Sequence, residues 1–218
     1  HAANLFGLKE FGNIYSRLGN PTVGALEARL TALEEGAMCV ALSSGTSAVM
    51  YSLINIMSQG DNFVTANQLY GGTYTMFDNI LPEYGIDSKK VDITDLAAVE
   101  NAIDDKTRAI YCETITNPGL VVADISALSE IAHSKGIPLI VDATFTTSAI
   151  LKPFEYGADI VVYSLTKWMS GHGRVIAGAV IEKGGFDWGN GNFPLYDKPD
   201  TSYGGMRWGH DLGDLGNV

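Results

Sequence analysis

The sequence predicts an α/β fold: a three-layer sandwich in which a mostly parallel central sheet is covered on both faces. Three observations predict it. Short apolar runs alternate with longer amphipathic ones along the chain. The runs Ile-Pro-Leu-Ile-Val (137–141) and Ala-Asp-Ile-Val-Val-Tyr (158–163) are almost continuously apolar, as strands buried on both sides are. Each apolar run also passes at once into a polar turn.

The elements follow in order. Thr22–Glu35 has apolar residues at 23, 26, 30 and 33, a helical spacing, with Asn20-Pro21-Thr22 as its start and Gly36 as its stop. Met38–Leu42 reads as a strand, Thr46–Met57 as a helix ending before Gly60, Phe63–Ala66 as a strand and Tyr70–Leu81 as a helix. Thr94 is the expected N-cap of a helix over Asp95–Ile103. Ala109–Cys112 is a strand, and Ile125–Ser134 a helix between an Asp124 cap and a Gly136 stop. Pro138–Val141, Ile160–Tyr163 and Ile176–Ile181 complete the strands. Gly184–Gly209, rich in Gly, Pro, Asp and aromatic residues, reads as a long irregular excursion.

Composition narrows the function classes. The 218 residues are 46% hydrophobic and 18% charged, which suits a globular chain with a sizeable core. No apolar run approaches the roughly 20 residues of a membrane helix, so no membrane partner is expected. Fourteen basic against 25 acidic residues give a charge of −11, the wrong sign for tracking nucleic-acid phosphates. Cys39 and Cys112 have no metal or redox spacing and read as reduced, buried thiols of a cytoplasmic protein. His1, His133, His172 and His210 are scattered, and no metal site is expected.

In an open parallel sheet the turns at the carboxyl ends of the strands share one crevice. There Ser43–Ser47, Glu113–Pro118, Asp142–Thr144 and Ser164–Lys167 would converge. Ser43-Ser44-Gly45-Thr46-Ser47, between a strand and a helix, suits a phosphate or is a plain helix cap. Asp142 is either a turn carboxylate or one that needs a cationic partner. Lys167 is either a snorkelling surface residue or a functional amine, whose pKa burial would lower for Schiff-base chemistry. An Asp 25 residues before a Lys, each closing a strand, could serve the two ends of one pyridine ring. Tyr70 is a helix staple or a ring stacked on a planar cofactor. Arg17 reads as a surface charge and His172 as a turn residue.

Six segments together resemble the Cys/Met-metabolism family of pyridoxal-phosphate enzymes, in that family's order. They are Tyr-Ser-Arg-Leu-Gly-Asn-Pro-Thr (15–22), Ser-Ser-Gly-Thr (43–46), Tyr-Gly-Gly-Thr (70–73), Glu-Thr-Ile-Thr-Asn-Pro (113–118), Val-Asp-Ala-Thr-Phe (141–145) and Ser-Leu-Thr-Lys-Trp-Met-Ser-Gly-His-Gly (164–173). The resemblance implies the large domain of the aspartate-aminotransferase-like fold and pyridoxal 5′-phosphate as cofactor. It makes Lys167 the Schiff-base lysine and proton shuttle, Asp142 the partner of the pyridinium nitrogen, and Tyr70 the stacking residue. Gly45, Thr46, Ser164 and Thr166 become phosphate contacts, Thr144 a further cofactor contact, and Asn117 a neighbour of the ring hydroxyl. Thr46 departs from the Met or Gln common there. Tyr15 and Arg17 resemble the pair that reaches the phosphate of a neighbouring subunit, which implies a homo-oligomer, a dimer of dimers, with shared active sites.

Gly185-Phe186-Asp187-Trp188, Phe193-Pro194 and Ser202-Tyr203-Gly204-Gly205 resemble an insertion of the family's O-acetylhomoserine sulfhydrylase branch, although Gly204 replaces its usual histidine. That branch implies γ-replacement of acetate by sulfide or methanethiol on an amino-acid ester. Elimination by a γ-lyase, a defective fragment used for assembly, and an unrelated nucleotide-binding domain are the competing readings. The absence of GxGxxG and of a P-loop counts against the last. The resemblance also divides the chain into an arm (1–20), a cofactor-binding domain (21–183) and an insertion leading toward a further domain (184–218). The arginine that grips the substrate carboxylate has no match here, and the last residues, Gly213–Val218, show no closing helix.

Overall fold

A computed structural model describes residues 1–7, 9–10 and 12–211. The expected open end at Gly213–Val218 lies outside them. Seven strands form one sheet: β1 (Met38–Leu42), β2 (Asn62–Ala66), β3 (Asp87–Val91), β4 (Thr107–Glu113), β5 (Leu139–Asp142), β6 (Ile160–Ser164) and β7 (Gly178–Glu182). Their order is β1-β7-β6-β5-β4-β2-β3. β6, β5, β4, β2 and β3 pair in parallel, and β7 is antiparallel to both β1 and β6. Six strands therefore run one way and bring their carboxyl ends to one edge, as the sequence predicts.

The helices are α1 (Ala2–Phe6), α2 (Pro21–Glu34), α3 (Gly45–Ile54), α4 (Gly71–Thr75), α5 (Leu96–Ala102), α6 (Ile125–Ser134), α7 (Thr147–Ile150) and α8 (Pro194–Asp197). Their starts follow capping chemistry. The Asn20 side chain accepts from the N–H groups of Thr22 and Val23, with Pro21 in the first turn of α2. Asp124 accepts from Ala127 N–H at the start of α6. Glu34 of α2 hydrogen-bonds Tyr163 of β6, while Gly45 of α3 lies against Ser164, the next residue along that strand. Successive side chains point to opposite faces of a strand, so α2 and α3 cover opposite faces and the three layers are real. Phe63, Phe77 and Tyr111 anchor the core edge to face, with ring centroids 4.7 and 5.2 Å apart.

The structure corrects several boundaries. Asp95, not Thr94, caps α5, accepting from Ala98 N–H at 3.0 Å, while Thr94 is bound to Asp92. The helix predicted over Tyr70–Leu81 is α4, a wider π turn (Met76–Ile80) and a 3-10 turn (Leu81–Tyr84). Pro82, one residue past the predicted end, keeps the α-helix from continuing there, since it lacks an N–H donor. β3 is an addition to the predicted strands: Asp-Ser-Lys-Lys-Val is polar because it is an edge strand, where lysine blunts open pairing. The Gly184–Gly209 segment contains α8 and a 3-10 turn (Thr201–Tyr203). Within it Trp188 and Phe193 are buried, and Phe186, Trp188, Phe193 and Tyr196 pack ring to ring. Cys39 and Cys112 are buried free thiols. No helix among the described residues is long and apolar enough to cross a membrane, and no group of three acidic, His or Cys side chains there could hold a metal.

Glu182, the last residue of β7, gives the fold a pH signature. One carboxylate oxygen accepts from Gly184 N–H at 2.7 Å and the other is buried without a partner. Burial pushes its pKa up from an ordinary value of 4.5 to about 7. Below pH 4.5 the group is protonated in both states and costs nothing. Between about 4.5 and 7 only the unfolded chain sheds the proton, so stability falls as pH rises, and above that the loss is complete. Glu182→Gln is therefore expected to raise the melting temperature at pH 8 and to leave it nearly unchanged at pH 4. Calorimetric scans at both values check this; an equal gain at each would contradict it.

Candidate active site

The carboxyl edge of the sheet opens into a cavity of about 660 Å³. It is lined by Gly45 and Thr46 from the start of α3, by Tyr70 before α4, and by Asn117 after β4. Asp142 and Thr144 reach it from β5, and Ser164, Thr166 and Lys167 from β6. Nine of the eleven residues singled out in the sequence thus share one space.

The anion-binding side is built by helix geometry. An α-helix leaves its first four N–H groups without intrahelical partners. In α3 these are the N–H groups of Ser44 to Ser47, since that of Ala48 already bonds Ser44 O at 3.1 Å. Ser47 N–H bonds Ser44 Oγ at 3.0 Å, and Ser44, Gly45 and Thr46 line the cavity. Glycine is required at 45, where a Cβ would sit 2.4 Å from Ser164 Cβ. It is required again at 178, where a Cβ would sit 2.0 Å from Ser44 O. These two close approaches press the helix start against β6 and β7.

Asp142 closes β5 at the cavity floor. Its Oδ1 accepts from Thr144 N–H at 2.9 Å and its Oδ2 from Tyr111 OH at 3.3 Å. Neither partner is cationic, and burial raises its pKa from its ordinary value. A half-buried carboxylate facing a cavity with only neutral partners is chemically suited to a cationic N–H supplied by a ligand. Thr144 also ties the two strand ends together, its Oγ1 accepting from Ser164 N–H at 2.7 Å.

Lys167 follows β6 in a turn closed by its N–H to Ser164 O at 3.1 Å. It lines the cavity but is exposed, which corrects the expectation of a desolvated amine. The protein alone leaves it at an open rim. Tyr15 and Arg17 are not brought to this cavity. Arg17 Nη2 donates to Tyr15 OH at 2.7 Å, and the pair sits out on the N-terminal arm. His172 turns back onto Ser170 O and is exposed, as a turn histidine would be.

Sequence reasoning missed Glu113. It is buried, with 6% of its surface exposed, and lines the cavity. Its Oε1 accepts from Tyr70 N–H at 2.7 Å and its Oε2 from Asn117 N–H at 3.1 Å. Burial, with Asp142 adding repulsion, pushes its pKa up to about 7 while the two N–H groups oppose the rise. An acid directly after the apolar run Ala109–Cys112 was the available signal. Phe145, Trp168 and Ile176 give the cavity an apolar wall that the sequence pattern does not reveal.

The O-acetyl-L-homoserine sulfhydrylase of Leptospira meyeri is 48% identical over 208 residues, covering 95% of this chain and 47% of its own. The chain spans about half the length of the curated relatives it matches. Among solved structures, a Campylobacter jejuni protein assigned as an O-acetylhomoserine (thiol)-lyase superposes with a TM-score of 0.94 at 40% identity. The match covers 99% of this chain and 54% of that one, whose crystal carries a pyridoxyl-lysine phosphate. A cystathionine γ-lyase from Lactobacillus plantarum, complexed with L-serine, matches with a TM-score of 0.75 at 41% identity over 80% of this chain and 46% of its own. The model for Cys/Met metabolism PLP-dependent enzymes matches residues 1–203. With that match across nearly the whole chain, and with the lysine, the aspartate and the glycine-tight helix start on one cavity, this chain belongs to the Cys/Met metabolism PLP-dependent enzyme family.

Proposed function

We propose that the cavity binds pyridoxal 5′-phosphate. We further propose that the protein exchanges the acetate of O-acetyl-L-homoserine for sulfide or methanethiol, giving homocysteine or methionine. The observation that carries the cofactor reading is the convergence of Lys167, Asp142 and the α3 start on one cavity. The residues fit the group. The N–H groups of Gly45 and Thr46 and the hydroxyls of Ser164 and Thr166 suit its phosphate. The Asp142 carboxylate suits a ring N–H proton and Asn117 suits the ring hydroxyl. When bound, this cofactor supplies an aldehyde carbon for an amine and a ring that accepts the electron pair released by proton loss.

The chain's own residues carry the rest. Lys167 lines the cavity from its turn, and its amine would take the substrate's α-proton and return one later. Asp142 would keep the ring nitrogen protonated. Tyr70 would cover one ring face and exclude water. Tyr15 and Arg17, hydrogen-bonded to each other away from this cavity, would serve the phosphate of a neighbouring subunit, so the working unit is a homo-oligomer, proposed as a dimer of dimers, in the cytoplasm. We propose that the chain divides into an arm (1–20), a cofactor-binding domain (21–183) and an insertion from 184 onward.

The names of the similar sulfhydrylases support replacement, and the structural likeness to a γ-lyase supports elimination as the second reading. The test incubates the full-length protein, loaded with cofactor, with O-acetyl-L-homoserine and sulfide. Homocysteine and acetate are the expected products; a keto acid and ammonia formed without sulfide uptake would overturn replacement in favour of elimination. Gly45→Ala should weaken cofactor binding at least about tenfold, because its methyl pushes the helix start off Ser164. Titration followed by visible absorbance measures this, and unchanged affinity would remove the α3 start from the phosphate site.

A further inference from the structure

Glu113 and Asp142 are register partners on adjacent strands, so two carboxylates close β4 and β5 side by side. Only Asp142 has a place in the chemistry described above. Glu113 instead spends both oxygens on backbone, one on Tyr70 N–H and the other on Asn117 N–H. These two amides belong to turns on different strands, 43 and 4 residues from Glu113 in sequence. Tyr70 precedes α4 and has no side-chain cap of its own. Its ring folds back over Gly72, where a Cβ would stand 2.6 Å from the Tyr70 ring. Tyr70 thus has its amide bound to Glu113 and its ring against Gly72.

We propose that Glu113 is the positioning carboxylate of this site, holding the backbones of Tyr70 and Asn117 where their side chains would meet the cofactor's ring face and ring hydroxyl. The proposal rests on the pyridoxal-phosphate reading. A carboxylate is needed because it accepts at both oxygens. An amide presents one acceptor and one N–H₂ group, so Glu113→Gln sets a donor against a donor at one of the two turns. The shape is kept, and the loss falls on position rather than on packing.

The experiment titrates pyridoxine 5′-phosphate, which has no aldehyde and forms no covalent link, into four full-length apoproteins: wild type, Glu113→Gln, Tyr70→Ala and the double variant. Binding by calorimetry and the induced circular dichroism of bound pyridoxal phosphate are read, with the apoprotein melting temperature as control. Glu113→Gln is expected to weaken binding at least tenfold and to reduce the induced signal, while its melting temperature stays within about 2 °C of wild type. In the Tyr70→Ala background the same substitution is expected to cost threefold or less, because residues acting through one group are not additive. Three results would overturn the proposal: Glu113→Gln binding within twofold of wild type, an undiminished loss in the Tyr70→Ala background, or a melting temperature lowered by more than 5 °C, which would make Glu113 a residue of the fold. A wild type that binds neither ligand would instead sink the cofactor reading itself.

Discussion

Lys167→Ala is expected to abolish turnover of O-acetyl-L-homoserine, lowering kcat by at least about 10³-fold. A positioned proton-transfer group alone contributes about 10²–10⁴-fold. Lys167 is the amine among the cavity-lining residues. No other side chain there can both join an aldehyde and carry a proton at the same atom. The substitution is clean because Lys167 is exposed and its turn is held by backbone bonds, Lys167 N–H to Ser164 O and Gly171 N–H to Lys167 O. Surface changes of this kind usually lie within about 0.5 kcal/mol. The apoprotein should therefore melt where wild type does. Two measurements check the result: steady-state rates, and the borohydride-fixed pyridoxyl label found by peptide mass. A variant within tenfold of wild type, or one still labelled, would place the reacting amine elsewhere.

Asp142→Asn is expected to separate activity from stability. The amide keeps the shape of the side chain and can accept from Thr144 N–H or Tyr111 OH, yet it carries no charge to hold a ring proton. Losing one preorganised electrostatic partner costs about 10²–10³-fold in kcat by analogy with oxyanion-hole donors. Stability should move the other way. Burial raises the pKa of Asp142 above its ordinary value of 3.8, so folding the cofactor-free protein opposes ionisation. The penalty is absent in strong acid, grows as pH rises through the ordinary value toward the folded one, and is complete above it. The Asn apoprotein should accordingly melt higher than wild type at pH 8, with the gap closing toward pH 4. Binding of pyridoxal phosphate should reverse that order, because the cation then compensates the carboxylate. An Asn variant that turns over normally, or one less stable than wild type at pH 8, would remove Asp142 from this role.

Much of the fold and of the site is legible in the order of the amino acids. Caps, stops and apolar periodicity locate α2, α3, α6 and all strands but β3 to within a few residues, since each is a property of neighbours in sequence. The convergence of the Ser44, Asp142 and Lys167 turns follows from one topological fact, that parallel strands end at one edge. Reading the helix after Tyr70 as continuous fails because hydrophobic spacing does not register a π turn, and β3 escapes because an edge strand needs no apolar face.

The sequence by itself determined the strand–turn–helix punctuation, the residues offered at the sheet's carboxyl edge, and the family. Tertiary structure alone decided three matters. It gave Glu113 its place, because a carboxylate is defined by which amides reach it, and Tyr70 arrives from another strand. It left Lys167 exposed at the cavity rim, because burial depends on what covers a turn and not on the turn's residues. It kept Tyr15 and Arg17 on the arm, bound to each other, because reach in space is set by chain path. Local patterns encode local burial, whereas contacts across strands exist only once the sheet has closed.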